Sequence, residues 1–249
     1  MSRYFLEVAY LGTRYAGSQV QANAVTVQWE LEKALETFLR KPVMLTGSSR
    51  TDSGVHALQN FFHFDWEGEI PEKSIYNMNA LLPADVAVNG LYRVGADSHC
   101  RFDAVAREYE YVIYGKKNPF LADRALFYPY SIDREALERV AELVTGYTDF
   151  TSFSKRNTQS KTFECTVMES RWLWRAETMV YKVKANRFLR GMVRGLVGTM
   201  LQAGRGKISA EDFRKIIEAR DCTKADFSVP GHGLFLMRVE YPVNYFGVK

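Results

Sequence analysis

The sequence predicts an α/β fold of the α+β kind, arranged as two similar halves. Three observations predict it. Strand-like and helix-like segments mix along the whole chain, a similar order of elements follows in the second half, and no long low-complexity linker separates the two. No residue-level repeat accompanies that similarity of order. The chain has 249 residues, of which 47% are hydrophobic and 25% charged. That length suits one large domain or two small ones, and that composition can bury a core.

The elements follow from local pattern. Arg3 to Leu11 reads as a strand, with aromatic and β-branched residues and no breaker. Val27 to Arg40 reads as a helix, because Val27, Leu31, Ala34, Leu35 and Phe38 share one face. Thr26 can cap its start and Pro42 stops it. Val43 to Thr46 is a short strand, Asn60 to Trp66 an aromatic one, and Val86 to Val94 a third. Between the last two, Pro71 opens a helix that ends near Pro83. In the second half, Arg107 to Tyr114 alternates as a strand, and Asp133 can cap a helix running to Val144. Thr162 to Trp174 and Met179 to Ala185 read as paired strands around a turn. Phe188 to Leu201 reads as a helix, Ser209 caps another, and Leu234 to Tyr241 is a final strand. The join falls near Ser98 to Ala106, giving halves of 1–104 and 105–249. A cleft between two such halves is a common place for a site.

Several function classes drop out on composition. No apolar run is long enough to span a bilayer, and the N-terminus lacks the apolar stretch of a secretory signal. The expectation is a cytoplasmic protein with no membrane partner. Cys100, Cys165 and Cys222 are far apart, which argues against a disulfide framework and a zinc site and fits a reducing compartment. His56, His63, His99 and His232 make no ligand-spaced pair, so no metal is expected. Gly204-Arg205-Gly206-Lys207-Ile208 lacks the first glycine and the Ser or Thr of a phosphate loop, so nucleotide hydrolysis is rejected. The net charge of +4 permits a nucleic-acid partner without demanding one. The segment Lys182 to Lys207 carries seven basic residues and no acid, which suits either a solvated face or an RNA contact.

The segment richest in chemistry is Gly47-Ser48-Ser49-Arg50-Thr51-Asp52-Ser53-Gly54-Val55-His56-Ala57. It joins two strands with small and polar residues. Its one acid stands two residues after a cation and two before a glycine, which can turn the backbone sharply. A carboxylate so placed can attack an electrophilic carbon, take a proton or stabilise a cation. It can also simply close a turn by accepting backbone amides.

The longer string narrows these choices. Arg50-Thr51-Asp52-Ser53-Gly54-Val55-His56-Ala57 resembles the R-T-D-A-G-V-H signature of the bacterial tRNA pseudouridine synthase A family, with Ser53 where alanine is usual. Five further segments resemble that family. Tyr10 to Gln19 is similar to Y-D-G-x-x-Y-x-G-W-Q, departing at Leu11 and Ser18, and 106–111 is similar to A-R-x-Y-x-Y. Asp149 to Phe153 matches D-F-x-S-F, and Lys184 to Arg194 resembles K-A-N-x-F-x-x-x-M-V-R. Asn77 to Pro83 also looks like the family's N-x-x-L-P region.

The resemblance implies a pseudouridine synthase fold, with a central, mainly antiparallel mixed sheet flanked by helices. It implies isomerisation of uridine to pseudouridine at tRNA positions 38, 39 and/or 40, without a cofactor. The implied partner is the anticodon arm of tRNA, and the implied assembly is a homodimer. Asp52 is implied as the catalytic aspartate and Tyr109 as the residue that stacks on the substrate. Arg194 is implied as the basic partner of Asp52. Arg50 helps fill the space of an extruded base or holds phosphate, unless it serves only as an ion-pair partner. Lys184 and Asn186 shape the pocket, and a helix from Phe188 would put Arg187, Arg190 and Arg194 on one face. His56 is expected to be a hydrogen-bonded structural histidine rather than an acid or base. Two other readings stay open: an RNA-binding protein that kept the fold and lost catalysis, and a glycosidase, which would need a second opposed acid.

Overall fold

The computed structural model describes residues 1–156 and 160–246. The chain forms two compact units, Met1–Val105 with Phe235–Lys249, and Ala106–Leu234. Both mix helices with mainly antiparallel strands, so the protein is α/β as its element order predicts.

In the first unit the strand order is β4 (Val86–Val94), β1 (Ser2–Tyr10), β3 (His56–Trp66) and β9 (Leu234–Glu240). β1 runs antiparallel to both β3 and β4. The far edge of β3 is shared. β2 (Thr46–Gly47) pairs antiparallel with its later part, while β9 pairs in parallel with His56 and Ala57. β3 buries both of its faces, including Phe61, Phe62, His63 and Phe64 in succession. Segment 241–246 packs on Phe61, which meets Tyr241 edge-on at 5.1 Å and stacks on Phe246 at 5.5 Å. The last stretch of chain thus belongs to the first unit, unlike a linear division after residue 104. α1 (Val27–Leu39) is capped by Thr26 and buries Val27, Leu31, Ala34 and Leu35. It ends at Arg40 in the left-handed region (φ 58°), two residues before the proline expected to stop it. α2 (Ser74–Leu81) packs on α1 and β4.

In the second unit the order is β5 (Ala106–Tyr114), β8 (Thr178–Ala185) and β7 (Val167–Trp174), all antiparallel, with β6 (Leu126–Phe127) beside β5. α3 (Arg134–Val144) is capped by Asp133 and packs on β7 and α4 (Met192–Gly204). α5 (Ala210–Glu218) begins with a capping box between Ser209 and Asp212. α4 corrects one expectation. It begins at Met192, after Gly191 at φ 75°, so Arg187 and Arg190 precede the helix and share no face with Arg194. Nearly all of α4 is buried, which makes it a core helix and not a basic one.

Candidate active site

Asp52 lies in the first unit on the loop between β2 and β3 and is half-buried. Its carbonyl accepts the amide of Val55 at 3.2 Å, which closes a turn through Gly54 at φ 79°. The segment Leu11 to Gln19 clamps this turn. The amide of Gly54 and the hydroxyl of Ser53 both donate to the carbonyl of Tyr15, at 3.3 and 3.2 Å. Gly12 approaches so closely that a Cβ there would stand 1.9 Å from the carbonyl oxygen of Val55. No larger residue fits unless one of the two backbones moves.

The residue just before Asp52 is fixed from three directions. The Thr51 amide donates to Ser18 Oγ at 2.9 Å, and its carbonyl accepts the Ser18 amide at 3.1 Å. The Thr51 hydroxyl bonds the phenol of Tyr10 at 2.9 Å, and Asn60 Nδ2 donates to that phenol at 3.2 Å. Burial pushes the Tyr10 phenol above its ordinary range, against the opposing pull of its bonds to Thr51, Asn60 and Ser18. Tyr10 therefore stays a neutral hydroxyl in this network. The signature string pointed to Asp52 but gave no sign of Ser18 or Asn60 as its supports. Ser18 stood out only as a departure from the family's tryptophan, yet its side chain is buried and holds the loop.

His56 is 1% exposed, and its Nδ1 accepts the Gly12 amide at 3.0 Å. Its ring stacks on Phe235 at 4.5 Å. Arg50 is exposed and borders a cavity of about 200 Å³, with Ser18, Gln28, Ser49, His99 and Arg101 also in its wall. The Ser49 hydroxyl is buried and makes no hydrogen bond.

The other site residues expected from the sequence lie in the second unit. Tyr109 is on β5, 7% exposed, with its ring edge-on to Phe188 at 4.9 Å and 80°. Tyr111 and Ile113, on the same face of β5, are wholly buried, and the Tyr111 hydroxyl donates to the Pro230 carbonyl at 2.8 Å. Arg107 anchors the start of this strand by donating to the Asn186 carbonyl at 3.0 Å. Asn186 is also committed through its side chain, whose oxygen accepts the Thr166 amide at 2.9 Å. Lys184 is half-buried on β8, in register with Glu108 on β5 and Glu169 on β7. Arg194 is half-buried in the first turn of α4, and its Nε donates to the Val229 carbonyl at 2.8 Å.

The basic stretch 182–207 divides by environment. Lys182 pairs with Glu108 at 3.2 Å and with Glu169 at 3.5 Å. Arg187 donates to the Thr162 hydroxyl at 2.9 Å, and Arg205 lies over the ring of Tyr130 at 4.0 Å. Among the described residues, no helix is long and apolar enough to cross a membrane.

Comparison with known proteins gives a consistent picture. The family model described as tRNA pseudouridine synthase matches residues 7–103 and 140–242. The chain is 46% identical over 249 residues to a tRNA pseudouridine synthase A of Bacteroides fragilis, covering 99% of each chain. It is 43% identical over 251 residues to that of Parabacteroides distasonis, covering all of both. It is 35% identical over 245 residues to that of Staphylococcus aureus, covering 97% of this chain and 92% of the relative. With similarity along its full length, this chain belongs to the tRNA pseudouridine synthase family and is an isomerase of that type.

Proposed function

We propose that this enzyme converts uridine to pseudouridine in the anticodon arm of tRNA, at positions 38, 39 and/or 40, with Asp52 as the catalytic carboxylate. The observation that carries this reading is the Asp52 turn itself. Its backbone is clamped by Ser18, Tyr15 and Gly12 while the acid stays half-buried at the loop's surface. Such preorganisation holds a reacting group in place at no cost during the reaction.

The reaction breaks the bond between ribose C1′ and uracil N1, turns the ring, and joins C1′ to C5. The C5 proton is lost and N1 gains one, so no atom is added overall and no cofactor is needed. A carboxylate serves the step in which C1′ becomes electron-poor. Attack on C1′, removal of the C2′ proton and attack on the uracil ring are all open to it.

The target base must first leave its stack, at a cost of about a few kcal/mol. Arg50, exposed beside the cavity, suits the vacated space or a phosphate. Tyr109 offers a ring for the uracil, and base-on-aromatic stacking contributes about 1–3 kcal/mol. Arg194, oriented by the Val229 carbonyl, acts as the basic partner of Asp52. Lys184 and Asn186 shape the pocket wall, and Asn186 does so by fixing the end of the β7–β8 ladder. The working enzyme is then a cytoplasmic homodimer in which each chain carries both compact units. Sedimentation showing a fully active monomer at micromolar concentration would remove the dimer from this reading.

The test compares wild type with Asp52→Ala on unmodified tRNA, mapping pseudouridine nucleotide by nucleotide and measuring tRNA affinity in parallel. The expected result is modification in the anticodon arm by wild type, and binding without modification by the variant. Binding without pseudouridine by wild type on every tRNA tried would favour a non-catalytic RNA-binding protein instead.

A further inference from the structure

We propose that His63, His99 and Cys100 bind one zinc ion at the edge of the first unit. The ligand atoms of the three side chains all lie within 4.8 Å of one another. Among the described residues, this is the one cluster of three or more His, Cys, Asp or Glu groups so placed. His63 comes from β3, and His99 and Cys100 from the segment leading to β5, so folding brings together residues that no local spacing pairs. The expectation of no metal rested on spacing along the chain, which does not register this meeting.

The donor set fits zinc. It holds one thiol and two imidazoles and no carboxylate, which suits a borderline-soft ion over magnesium or calcium. His63 Nδ1 and Cys100 Sγ stand 3.1 Å apart, and the rings of His63 and His99 are 4.6 Å apart at 70°. Tetrahedral zinc, with bonds of about 2.3 Å to sulfur and 2.0–2.1 Å to nitrogen, sets its ligand atoms about 3.3–3.6 Å apart. The widest gap in the cluster therefore closes by about 1.5 Å at most. His99, half-buried where the other two are buried, is the side chain able to move.

The surroundings fix the tautomers of both rings. His63 Nδ1 accepts the Cys100 amide at 3.4 Å, and His99 Nδ1 accepts the amides of Arg101 and Phe102 at 3.1 and 3.4 Å. Each ring therefore carries a lone pair on a nitrogen that faces this turn. The turn is braced by the His99 amide, which donates to Asp103 Oδ2 at 2.8 Å, and by Tyr241, whose hydroxyl donates to the Cys100 carbonyl at 2.6 Å. Such outer contacts hold ligands in place.

Binding exchanges one proton. The Cys100 S–H bond breaks, a sulfur–zinc bond forms, and the proton leaves to solvent, while both rings stay neutral. The ion takes over the lone pairs now shared with the Cys100 amide on His63 Nδ1 and with the Arg101 and Phe102 amides on His99 Nδ1, and those amides turn to other acceptors. The fourth position is left for water or an oxygen donor from the cavity whose wall includes His99. The ion would tie segment 98–103 to β3 beside Arg50.

The test strips the full-length protein with a chelator and titrates it with Zn²⁺ against a chromophoric competitor. Co²⁺ is then added in place of zinc to read its absorption. The expected result is about one ion per chain, with a thiolate-to-cobalt charge-transfer band. Cys100→Ser abolishes the band and weakens Zn²⁺ binding by at least roughly tenfold. His99→Ala, at a half-buried position, weakens it likewise. Cys222→Ser, in the other unit, leaves it unchanged. Equal Zn²⁺ affinity in wild type, Cys100→Ser and His99→Ala would overturn the proposal, as would a cobalt spectrum without the thiolate band.

Discussion

The turn that carries Asp52, the proposed catalytic carboxylate, is held by side chains from distant positions. Ser18 Oγ accepts the Thr51 amide, and Thr51 in turn leans on Tyr10 and Asn60. Removing the Ser18 hydroxyl leaves a buried amide without that acceptor, which costs about 1–3 kcal/mol. Part of that cost falls on the placement of Asp52. Ser18→Ala is expected to lower kcat on tRNA by about tenfold or more with little change in KM, because it disturbs alignment and not binding. Equal kcat in the two proteins would show that the turn holds without this bond. Ser18 also shows what a sequence leaves unsaid at this scale. A serine in a polar loop is unremarkable by composition, and only the return of residues 49–51 beside it gives the hydroxyl its task. His56 is the opposite case. Its burial and its bond to Gly12 bear out the structural role expected of it.

The elements were largely legible because their signals are local. Thr26, Asp133 and Ser209 each cap the helix they were expected to cap, since the hydroxyl or carboxylate needs to reach only an amide three residues on. The start of α4 was misread because Phe188 to Leu201 keeps a helical period while Gly191 at φ 75° interrupts the backbone. Apolar periodicity does not report that break. The loop that receives α4 supplies a test by pH. Burial raises the Asp226 carboxyl, but bonds from the hydroxyl and amide of Ser228 and from Gln202 outweigh it, and its pKa falls below the ordinary value. A group with a lowered folded pKa contributes stability above its unfolded pKa, about 3.9, and loses it as pH falls through the folded value. Asp226→Asn is expected to cost about 1–2 kcal/mol near neutrality, the scale of hydrogen bonds to a charged group. That difference should shrink toward zero as the pH falls through the lowered folded value. Urea unfolding at several pH values measures it, and a pH-independent difference would assign the effect to packing.

At the scale of the whole molecule, the chain's last segment matters more than its length suggests. Tyr241, Tyr245 and Phe246 cover Phe5, and Tyr241 and Phe246 also cover Phe61. Deleting residues 241–249 exposes that aromatic surface and removes the Tyr241 bond to Cys100. The expected loss is about 3 kcal/mol or more, since one buried aromatic side chain alone is worth about 1.5–3 kcal/mol. Denaturant unfolding reads it directly, and unchanged stability would mean that the segment only decorates the sheet.

The sequence by itself determined the class of fold, the caps and most strand positions, and the Asp52 loop as a string of letters. Those features rest on interactions between residues a few positions apart, which periodicity and spacing record. The tertiary structure alone decided that residues 235–246 return to the first unit, that Ser18 braces Asp52, and that His63 meets His99 and Cys100. Each of these joins positions 33 to 241 residues apart. Such contacts depend on which surfaces the chain brings face to face when it buries its apolar strands, and one sequence read along its length carries no measure of that.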